Sequence, residues 1–466
     1  MTLYHLRWLL PTAVALAALG CVAWLSQTTA VGALKPRIPG TDRPDNLPVA
    51  ATVDLNGTYT AGPGKPGSAP GLWPAFRGPS SSNVILDLPT LNTAFSDAAP
   101  LPVLWSLRLG YGYAMPAVRN GRVYLLDYDS VKQADALRCL SLDDGAEIWC
   151  RSYAVKVKWD HGMSRTIPAV TDRYVVSIGP KCHVLCVDAV TGDFRWGLDL
   201  VKEFGTKMPP WYAGQCPIIE DDRAILAPAG TDVLLMAVDC ATGRPVWTTP
   251  NSMGWKMSHS SVLATTLCGT RQYVYAGSGG VAGVEATTGK LLWQTAEWKV
   301  KTASIATPVA CDGDRLFLSG GYGAGAAMMT LHQSNGAWTT KLDYRLSEKE
   351  FGSVQQTPIF HDGAIYGVIP DGQLVCLGVD GKRRWASGVP NRFGWGPYLI
   401  ANDSIWLLND TGTLTTAKLG GTAFARLGQG RILTGHDAWG PMALAGTRLL
   451  ARDLDRMVCL DVGAKP

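Results

Sequence analysis

The stretch IPAVTDRYVVSIGPKCHVLCVDAVTGDFRW, residues 167–196, contains the pattern from which the fold can be predicted. It begins at Ile167-Pro168, continues through two alternating apolar runs, and ends on an Asp-x-x-Thr-Gly turn followed by Trp196. Short alternating runs are typical of half-buried strands, and Thr-Gly or Asp-Gly pairs close tight hairpins. The stretch therefore predicts a small sheet of short antiparallel strands.

The same pattern recurs from residue 105 onward, with a second copy in residues 115–149. Its tryptophans fall 44 to 51 residues apart, at Trp105, Trp149, Trp196, Trp247, Trp293, Trp338 and Trp385. A period of this length belongs to four-stranded propeller blades. The sequence therefore predicts an all-β fold, a β-propeller of four-stranded antiparallel blades. Eight blades are predicted, with seven as the alternative because the copy around Phe424 has no tryptophan.

The two ends of the repeat region predict how the ring closes. The last copy stops at Cys459-Leu460-Asp461-Val462 without its tryptophan strand, whereas residues 102–107 precede the first blade and have no blade of their own. A strand from residues 102–107 would complete the eighth blade. Closure of the ring would remove the unpaired strand edges that favour aggregation.

Composition excludes several classes of protein. Of the 466 residues, 47% are hydrophobic and only 17% are charged, which is too apolar for a disordered chain. The formal net charge is +4, and no run of Lys and Arg forms a basic stripe. We therefore expect no nucleic-acid partner.

The N-terminus predicts export. After a short basic start, the stretch from Trp8 to Leu25 contains no charged residue and is long enough to cross a bilayer. We favour an uncleaved transmembrane anchor. The alternatives are a signal peptide cut after Ala30 and a lipoprotein modified at Cys21. Each of these would export the chain to the periplasm or another extracytoplasmic space, and the favoured anchor would hold it at the membrane.

The domain organisation follows from these segments. The sequence predicts a signal-anchor or signal segment, a flexible linker rich in Pro and Gly, an N-terminal extension that docks on the propeller, and the propeller itself. Their boundaries are residues 1–30, 31–70, 71–100 and 101–466.

The phrase Asp-x-x-Thr-Gly-x-x-x-Trp at Asp188–Trp196 and again at Asp239–Trp247 resembles the PQQ-like repeat of quinoprotein dehydrogenases and outer-membrane assembly lipoproteins. The segment Trp73–Pro79 also resembles an opening of secreted bacterial PQQ-like propellers. The dehydrogenase branch would imply a vicinal disulfide against the cofactor, a calcium ion held by Glu, Asn and Asp, and a catalytic Asp. No two cysteines are adjacent in this chain, and neither calcium ligands nor a catalytic residue can be mapped.

Candidate binding residues precede the first strands of the blades. Such connections gather at one end of the central channel of a propeller, and here they are rich in aromatic, basic and amide side chains. Converging aromatic faces beside cations suit a planar or sugar-like ligand or an anion. The candidates are Trp159, His161, Arg165, Trp211, Tyr212, Gln215, Trp255, Lys256, His259, Lys301, Gln356, Arg392, Trp395, His436 and Trp439.

A structural role competes with this interpretation, because the aromatic residues could instead plug the channel and pack between blades. Arg165, Lys256, Lys301 and Arg392 favour binding, since cations on one ring need an anion or an acid between them. Asp160, Glu350 and Asp437 are the acids that the sequence offers.

The cysteines and glycine-rich turns predict no metal centre and no catalytic residue. Lys181-Cys182-His183 is not a haem attachment order, and a strand would direct His183 away from Cys182 and Cys186. Cys139 and Cys150 flank one hairpin and could form a disulfide in an oxidising compartment.

Three functions remain. The first is a scaffold without catalysis that is tethered to the membrane and binds an extracytoplasmic protein or a small ligand, with no cofactor. The second is a quinone-dependent oxidoreductase, which would need PQQ and calcium. The third is a carbohydrate-binding or sensing module.

Overall fold

The computed structural model describes residues 6–27, 53–160 and 162–464, with helix side chains described over residues 13–24. The chain divides into two compact units, Met1–Ala51 and Thr52–Pro466.

The first unit contains the helix α1, Leu6–Gln27, where the sequence predicts a transmembrane or signal helix. Within the described part of the chain, no helix combines the length and hydropathy of a membrane span. The predicted cleavage position after Ala30 and residues 31–52 of the predicted linker lie outside the described residues.

Almost all regular structure of the second unit is β. The strands before the first blade are β1 (Thr58–Ala61), β2 (Val84–Ile85) and β3 (Val103–Arg108). Blade 1 contains β4 (Ala117–Arg119), β5 (Arg122–Asp129), β6 (Ala134–Ser141) and β7 (Glu147–Ala154). Blade 2 contains β8 (Ala169–Val170), β9 (Tyr174–Ile178), β10 (His183–Asp188) and β11 (Phe194–Asp199), and the short helix α2 (Leu200–Phe204) follows it.

The next three blades continue in chain order. Blade 3 contains β12 (Ile218–Glu220), β13 (Arg223–Leu226), β14 (Val233–Asp239) and β15 (Pro245–Pro250). Blade 4 contains β16 (Leu263–Leu267), β17 (Thr270–Gly277), β18 (Gly280–Glu285) and β19 (Leu291–Thr295). Blade 5 contains β20 (Val309–Cys311), β21 (Arg315–Gly320), β22 (Gly325–Ser334) and β23 (Ala337–Leu346).

Three further blades complete the ring. Blade 6 contains β24 (Ile359–His361), β25 (Ala364–Val368), β26 (Leu374–Gly378) and β27 (Arg383–Ala386). Blade 7 contains β28 (Tyr398–Ala401), β29 (Ser404–Leu408), β30 (Thr413–Lys418) and β31 (Arg426–Arg431). Blade 8 contains β32 (Ala443–Ala445), β33 (Arg448–Arg452) and β34 (Arg456–Asp461), with β3 as its outer strand.

The eight-bladed propeller and its closing strand are confirmed. Strands within each blade are antiparallel, and the first strands of neighbouring blades lie against one another, as in β32, β4, β8 and β12. The strand β3 pairs with β34 in the register Trp105 to Cys459. The middle strands of the blades are almost wholly buried, because their apolar runs face neighbouring blades on both sides.

Several neighbouring blades are joined by a tryptophan that packs on a turn glycine. Trp149 of β7 is 1% exposed, and its Nε1 donates to the carbonyl of Val190 in blade 2 over 3.2 Å. Gly192 of the same turn has φ +74°, and a β-carbon there would lie 2.7 Å from the Trp149 ring. The same arrangement joins Trp105 to Leu142 and Gly145, and Trp196 to Cys240 and Gly243. The Gly and Trp of the repeat therefore encode the contact between blades.

Blade 5 departs from this rule. The sequence predicts Trp338 as its repeat tryptophan, but Trp338 pairs with Gln333 near the tip of a long hairpin. Both β22 and β23 have ten residues, so the hairpin extends past the position where the other blades turn. Tyr344 instead packs on Gly381 of blade 6, and its hydroxyl donates to the Val379 carbonyl over 3.1 Å.

Residues that precede the propeller, from both the predicted linker and the predicted N-terminal extension, pair with strands of the blades. β1 pairs with β7 on the outer edge of blade 1, and Trp73, which is 2% exposed, pairs with Val118. The Thr416 hydroxyl donates to the Thr93 carbonyl over 2.6 Å beside β31. Residues 58–61, which the sequence places in a flexible linker over residues 31–70, therefore form a strand. The physical reason is that an unpaired edge such as that of β7 favours the addition of a strand.

The Cys139–Cys150 disulfide that the sequence offered does not form. Cys139 lies opposite Trp149 in the sheet, so Cys150, one residue further along β7, faces the other side. All cysteines of the described residues are free.

Candidate functional site

The antiparallel blades place two sets of connections at one end of the channel. These are the loops that lead into the first strands and the hairpins between the second and third strands, and together they form what we call the loop face. Its eight loops are residues 109–116, 155–168, 205–217, 251–262, 296–308, 347–358, 387–397 and 432–442. The other two hairpins of each blade form the opposite end, the turn face.

Blades 6, 7, 8 and 1 bring predicted site residues into contact. The rings of Trp395 and Trp439 lie 5.0 Å apart between centroids, and Trp439 lies 5.4 Å from Tyr113. Gln356 Nε2 donates to the carbonyls of Trp395 and Trp439 over 3.2 and 2.7 Å. Asp410 Oδ1 accepts from the Trp395 amide and the Trp439 indole, each over 2.8 Å. This part of the loop face is sealed by side chains that hold one another.

Arg165 joins this cluster to the next blades. Its guanidinium lies 5.2 Å from the Tyr113 ring centroid, and its Nε donates to the Trp211 carbonyl over 2.6 Å. Burial lowers the pKa of Arg165, while Tyr113 and Asp160 oppose the shift. Burial, followed by Asp437, raises the pKa of Tyr113 to about 12. Backbone carbonyl oxygens and the ring of Tyr113 thus contact the Arg165 guanidinium. The sequence predicts an acid or a bound anion as the partner of this cation.

Trp211 is the centre of a second stack. Its ring lies 6.2 Å from His259 and 6.5 Å from Tyr322, nearly parallel to both. Burial, followed by Arg165, lowers the pKa of His259 to about 4, so the imidazole is neutral near pH 7. Trp211 and Tyr212 both have positive φ, at 60° and 75°. Such backbone conformations cost on the order of 1–3 kcal/mol each in non-glycine residues and cluster at functional sites.

The remaining predicted residues divide into a rim and a core. Trp159 is 55% exposed and contacts the edge of Tyr111, with centroids 4.6 Å apart. The exposed rim also contains Lys256, Lys301, Arg392 and His436. Two candidates are structural, because Gln215 is fully buried and hydrogen-bonds Ala227 in both directions, and Trp255 is 6% exposed. His161 lies outside the described residues.

Comparison with known protein families identifies the relatives of this propeller. Residues 133–387 match the model of the outer membrane protein assembly factor BamB, and these residues are more than half of the chain. The chain belongs to the BamB family. No curated protein gives a significant match.

Solved structures with a similar fold include one BamB protein and two proteins of other kinds. BamB from Moraxella catarrhalis is 14% identical, with a TM-score of 0.52 over 78% of this chain and all of that one. The computationally designed Ika8 protein is 11% identical, with a TM-score of 0.52 over 77% of this chain and 99% of that one. A quinohemoprotein alcohol dehydrogenase from Pseudomonas putida HK5 is 11% identical, with a TM-score of 0.46 over 85% and 81%. At these identities the likeness concerns the fold.

The residues of the loop face do not fit a quinone with calcium. Two of its carboxylates already accept hydrogen bonds from neighbouring loops and turns, since Asp410 accepts from Trp395 and Trp439 and Asp453 accepts from the Gly435 and Arg456 amides. Among the described residues, no three His, Cys, Asp or Glu side chains are grouped as metal ligands. The cavity beside Gln356 and Trp395 measures about 10 Å³, which is room for at most one water.

The hairpins between second and third strands contribute side chains that the sequence did not predict for this site. Tyr322 and Asp410 both lie between second and third strands and reach the loop face from there. Antiparallel order alone places these hairpins beside the loops that lead into the blades, so the repeat alignment contained the signal. The Gly320–Gly325 turn contributes Tyr322 as a stacking surface for Trp211.

Proposed function

We propose that this protein is an extracytoplasmic scaffold without catalysis, tethered to a membrane, which binds another protein or a ligand on its loop face. The observation that carries the proposal is the closed aromatic cluster of Trp395, Trp439 and Tyr113, which Gln356 and Asp410 hold in place. These contacts fill the end of the channel, while the exposed rim residues around them remain free to contact a partner. Membership of the BamB family, which is named for outer membrane protein assembly, supports a role in binding proteins.

The tether is part of this proposal. The helix α1 carries Cys21 on an exposed surface, and the apolar stretch that contains it predicts export. A reporter enzyme that is active only outside the cytoplasm, fused after Pro466, should be active in a bacterial host. Labelled fatty acid incorporated into the wild type and absent from Cys21→Ser would identify the lipoprotein alternative. An inactive reporter with stable expression would contradict the proposed location.

Quinone binding is the sharpest test of the scaffold. The purified full chain in detergent would be titrated with pyrroloquinoline quinone and calcium, following quinone absorbance and tryptophan fluorescence. We expect no saturable response, because Asp410 and Asp453 already accept hydrogen bonds from the protein and the cavity beside Gln356 and Trp395 is too small for a quinone. Saturable binding that Trp395→Ala or Arg392→Ala weakens would overturn the scaffold and favour the oxidoreductase.

A further inference from the structure

Four consecutive blades present lysines in the same way on the loop face. In blade 2, Val155 and Val157 are buried while Lys156 and Lys158 are exposed between and beside them. The alternation recurs in the loops of blades 3, 4 and 5, where exposed lysines follow or separate buried residues. The six lysines of this arc are Lys156, Lys158, Lys207, Lys256, Lys299 and Lys301.

Local packing determines the outward direction of these lysines. Trp255 and Met257 are 6% and 4% exposed on either side of Lys256, and Trp298 and Val300 are 3% and 4% exposed on either side of Lys299. In an extended segment, alternate residues face opposite sides, so buried neighbours direct the lysine to solvent. Within the described part of the chain, none of the six lysines forms an ion pair.

The four loops are joined into a continuous surface. The Tyr212 hydroxyl donates to the Lys158 carbonyl over 2.6 Å, which joins blade 3 to blade 2. The ring of Trp211 stacks on His259, and the His259 amide donates to the Ser304 carbonyl over 3.0 Å, which extends the surface to blade 5. Exposed aromatic rings lie within it, since Trp159 and Tyr322 are 55% and 50% exposed.

The rest of the loop face has a different charge. The four loops that lead into blades 2 to 5 carry seven Lys and Arg against two Asp and Glu, whereas those of blades 6, 7, 8 and 1 carry two against three. The arc therefore attracts anions, while the sealed half has no basic excess. A broad anionic surface such as a bilayer would also cover the half without a basic excess, and it would gain little electrostatic attraction there. A narrow anionic chain could follow the lysines alone, without contacting that half.

We propose that the arc binds an extended polypeptide segment rich in Asp and Glu, with apolar or aromatic residues that contact Trp159 and Tyr322. This assignment rests on the proposed scaffold function and names the partner class of the same face. Carboxylates spaced along an extended chain would pair with successive lysines, and intervening side chains would stack on the exposed rings.

The test measures binding of a fluorescein-labelled glutamate-rich peptide to the purified full chain in detergent, by fluorescence anisotropy. We expect saturable binding at low ionic strength that weakens about tenfold towards physiological salt, since exposed charge pairs are screened. A lysine-rich peptide of equal length should not bind. The double variant Lys256→Glu, Lys299→Glu should weaken binding at least about tenfold.

Lys290→Glu is the matched control, because Lys290 is exposed on the turn face of the same blade 4. It should leave binding unchanged, and the thermal unfolding midpoint of every variant should match the wild type. If reversing two charges impairs folding, the double variant Lys156→Gln, Lys158→Gln tests the arc by removing two positive charges without adding negative ones. No binding of the glutamate-rich peptide, or binding equally weakened by Lys290→Glu, would overturn the proposal.

Vesicles of anionic phosphatidylglycerol distinguish a membrane from a polypeptide. Vesicle binding that depends on Lys256 and Lys299, without binding of the peptide, would assign the arc to a lipid surface and refute the acidic segment. If neither the peptide nor the quinone binds, the peptide-binding proposal is refuted and the scaffold proposal is retained. If the quinone binds, the scaffold proposal itself is refuted.

Discussion

The contacts between blades differ between the two halves of the ring. At the three interfaces that join blades 8, 1, 2 and 3, a repeat tryptophan packs on a turn glycine of the next blade and donates to a carbonyl there. Trp149, for example, donates to Val190. Further round, Tyr344 performs this role for blade 5, and Trp385 contacts Phe424 for blade 6 without any partner for its indole nitrogen within the described residues. The propeller therefore accommodates different aromatic residues, with and without a hydrogen bond, at these interfaces between blades.

Removing a repeat tryptophan should give the largest effect. Trp149→Ala is expected to lower the free energy of unfolding by about 3–5 kcal/mol, because it empties a fully buried site and deletes a hydrogen bond. Trp385→Ala should cost about 1 kcal/mol less, since Trp385 is 8% exposed and its indole nitrogen forms no such bond among the residues that the structure describes. Urea denaturation of both variants measures the difference. Equal losses would show that the two kinds of interface are energetically alike.

Crowding the turn should have a somewhat smaller effect. Gly192→Ala combines a positive φ with a β-carbon 2.7 Å from Trp149, so we expect a loss of about 2–4 kcal/mol. Gly336→Ala is the control, because its φ is +79° but a β-carbon added there would meet nothing within 4 Å. It should cost only about 1 kcal/mol. A similar loss in both would mean that backbone strain alone, without the ring contact, sets the cost.

A buried carboxyl makes the regular half sensitive to pH. Asp135 is 1% exposed, accepts from the Tyr153 hydroxyl over 2.9 Å, and has its pKa raised by burial to about 7. Between pH 3.8 and about 7 the folded state binds more protons than the unfolded state, so this contribution to stability is present at low pH and is lost as pH rises through 7.

Asp135→Asn should remove that dependence and raise stability above pH 7, by about 1.4 kcal/mol for each unit of the pKa shift that is removed. The control is Asp172→Asn, since Arg119 and Asn120 lower the pKa of Asp172 to about 2 and reverse the sign. Urea midpoints from pH 4 to 8 measure both. If the urea midpoints of the wild type and of Asp135→Asn depend on pH in the same way, Asp135 does not take up a proton in the folded state over this pH range.

The smallest effect concerns the substituted interface. Tyr344→Phe retains the ring on Gly381 and deletes the hydrogen bond to Val379, so about 1 kcal/mol should be lost. Tyr344→Trp tests whether the usual repeat residue would serve here. Stabilisation by tryptophan would show that blade 5 is imperfect, and destabilisation would show that its long hairpin requires tyrosine.

Much of the fold was predictable because each blade repeats its own local code. Alternating runs predicted the strands, Thr-Gly pairs predicted the turns, and residues 102–107 predicted the strand that closes blade 8. The exception at Trp338 has a physical cause, because the length of a hairpin decides which aromatic residue reaches the next blade, and the repeat period does not reveal that length.

The candidate site was predictable only in outline. The sequence places loops rich in aromatic residues at one end of the ring, and Trp395, Trp439, Arg165 and Trp211 do meet there. It could not separate Gln215 and Trp255, which are buried and structural, from Trp159, which is exposed, because burial depends on neighbouring blades.

The sequence by itself determined the repeat, the order of the blades and the strand that closes the ring, because these depend on short-range periodicity in strands and turns, whereas the structure decided that the blades number eight and not seven. Only the tertiary structure decided which aromatic side chains seal the channel and which lysines form one arc. Those outcomes depend on contacts between residues such as Tyr113 and Trp439, which are far apart in the chain and adjacent only after the ring has closed.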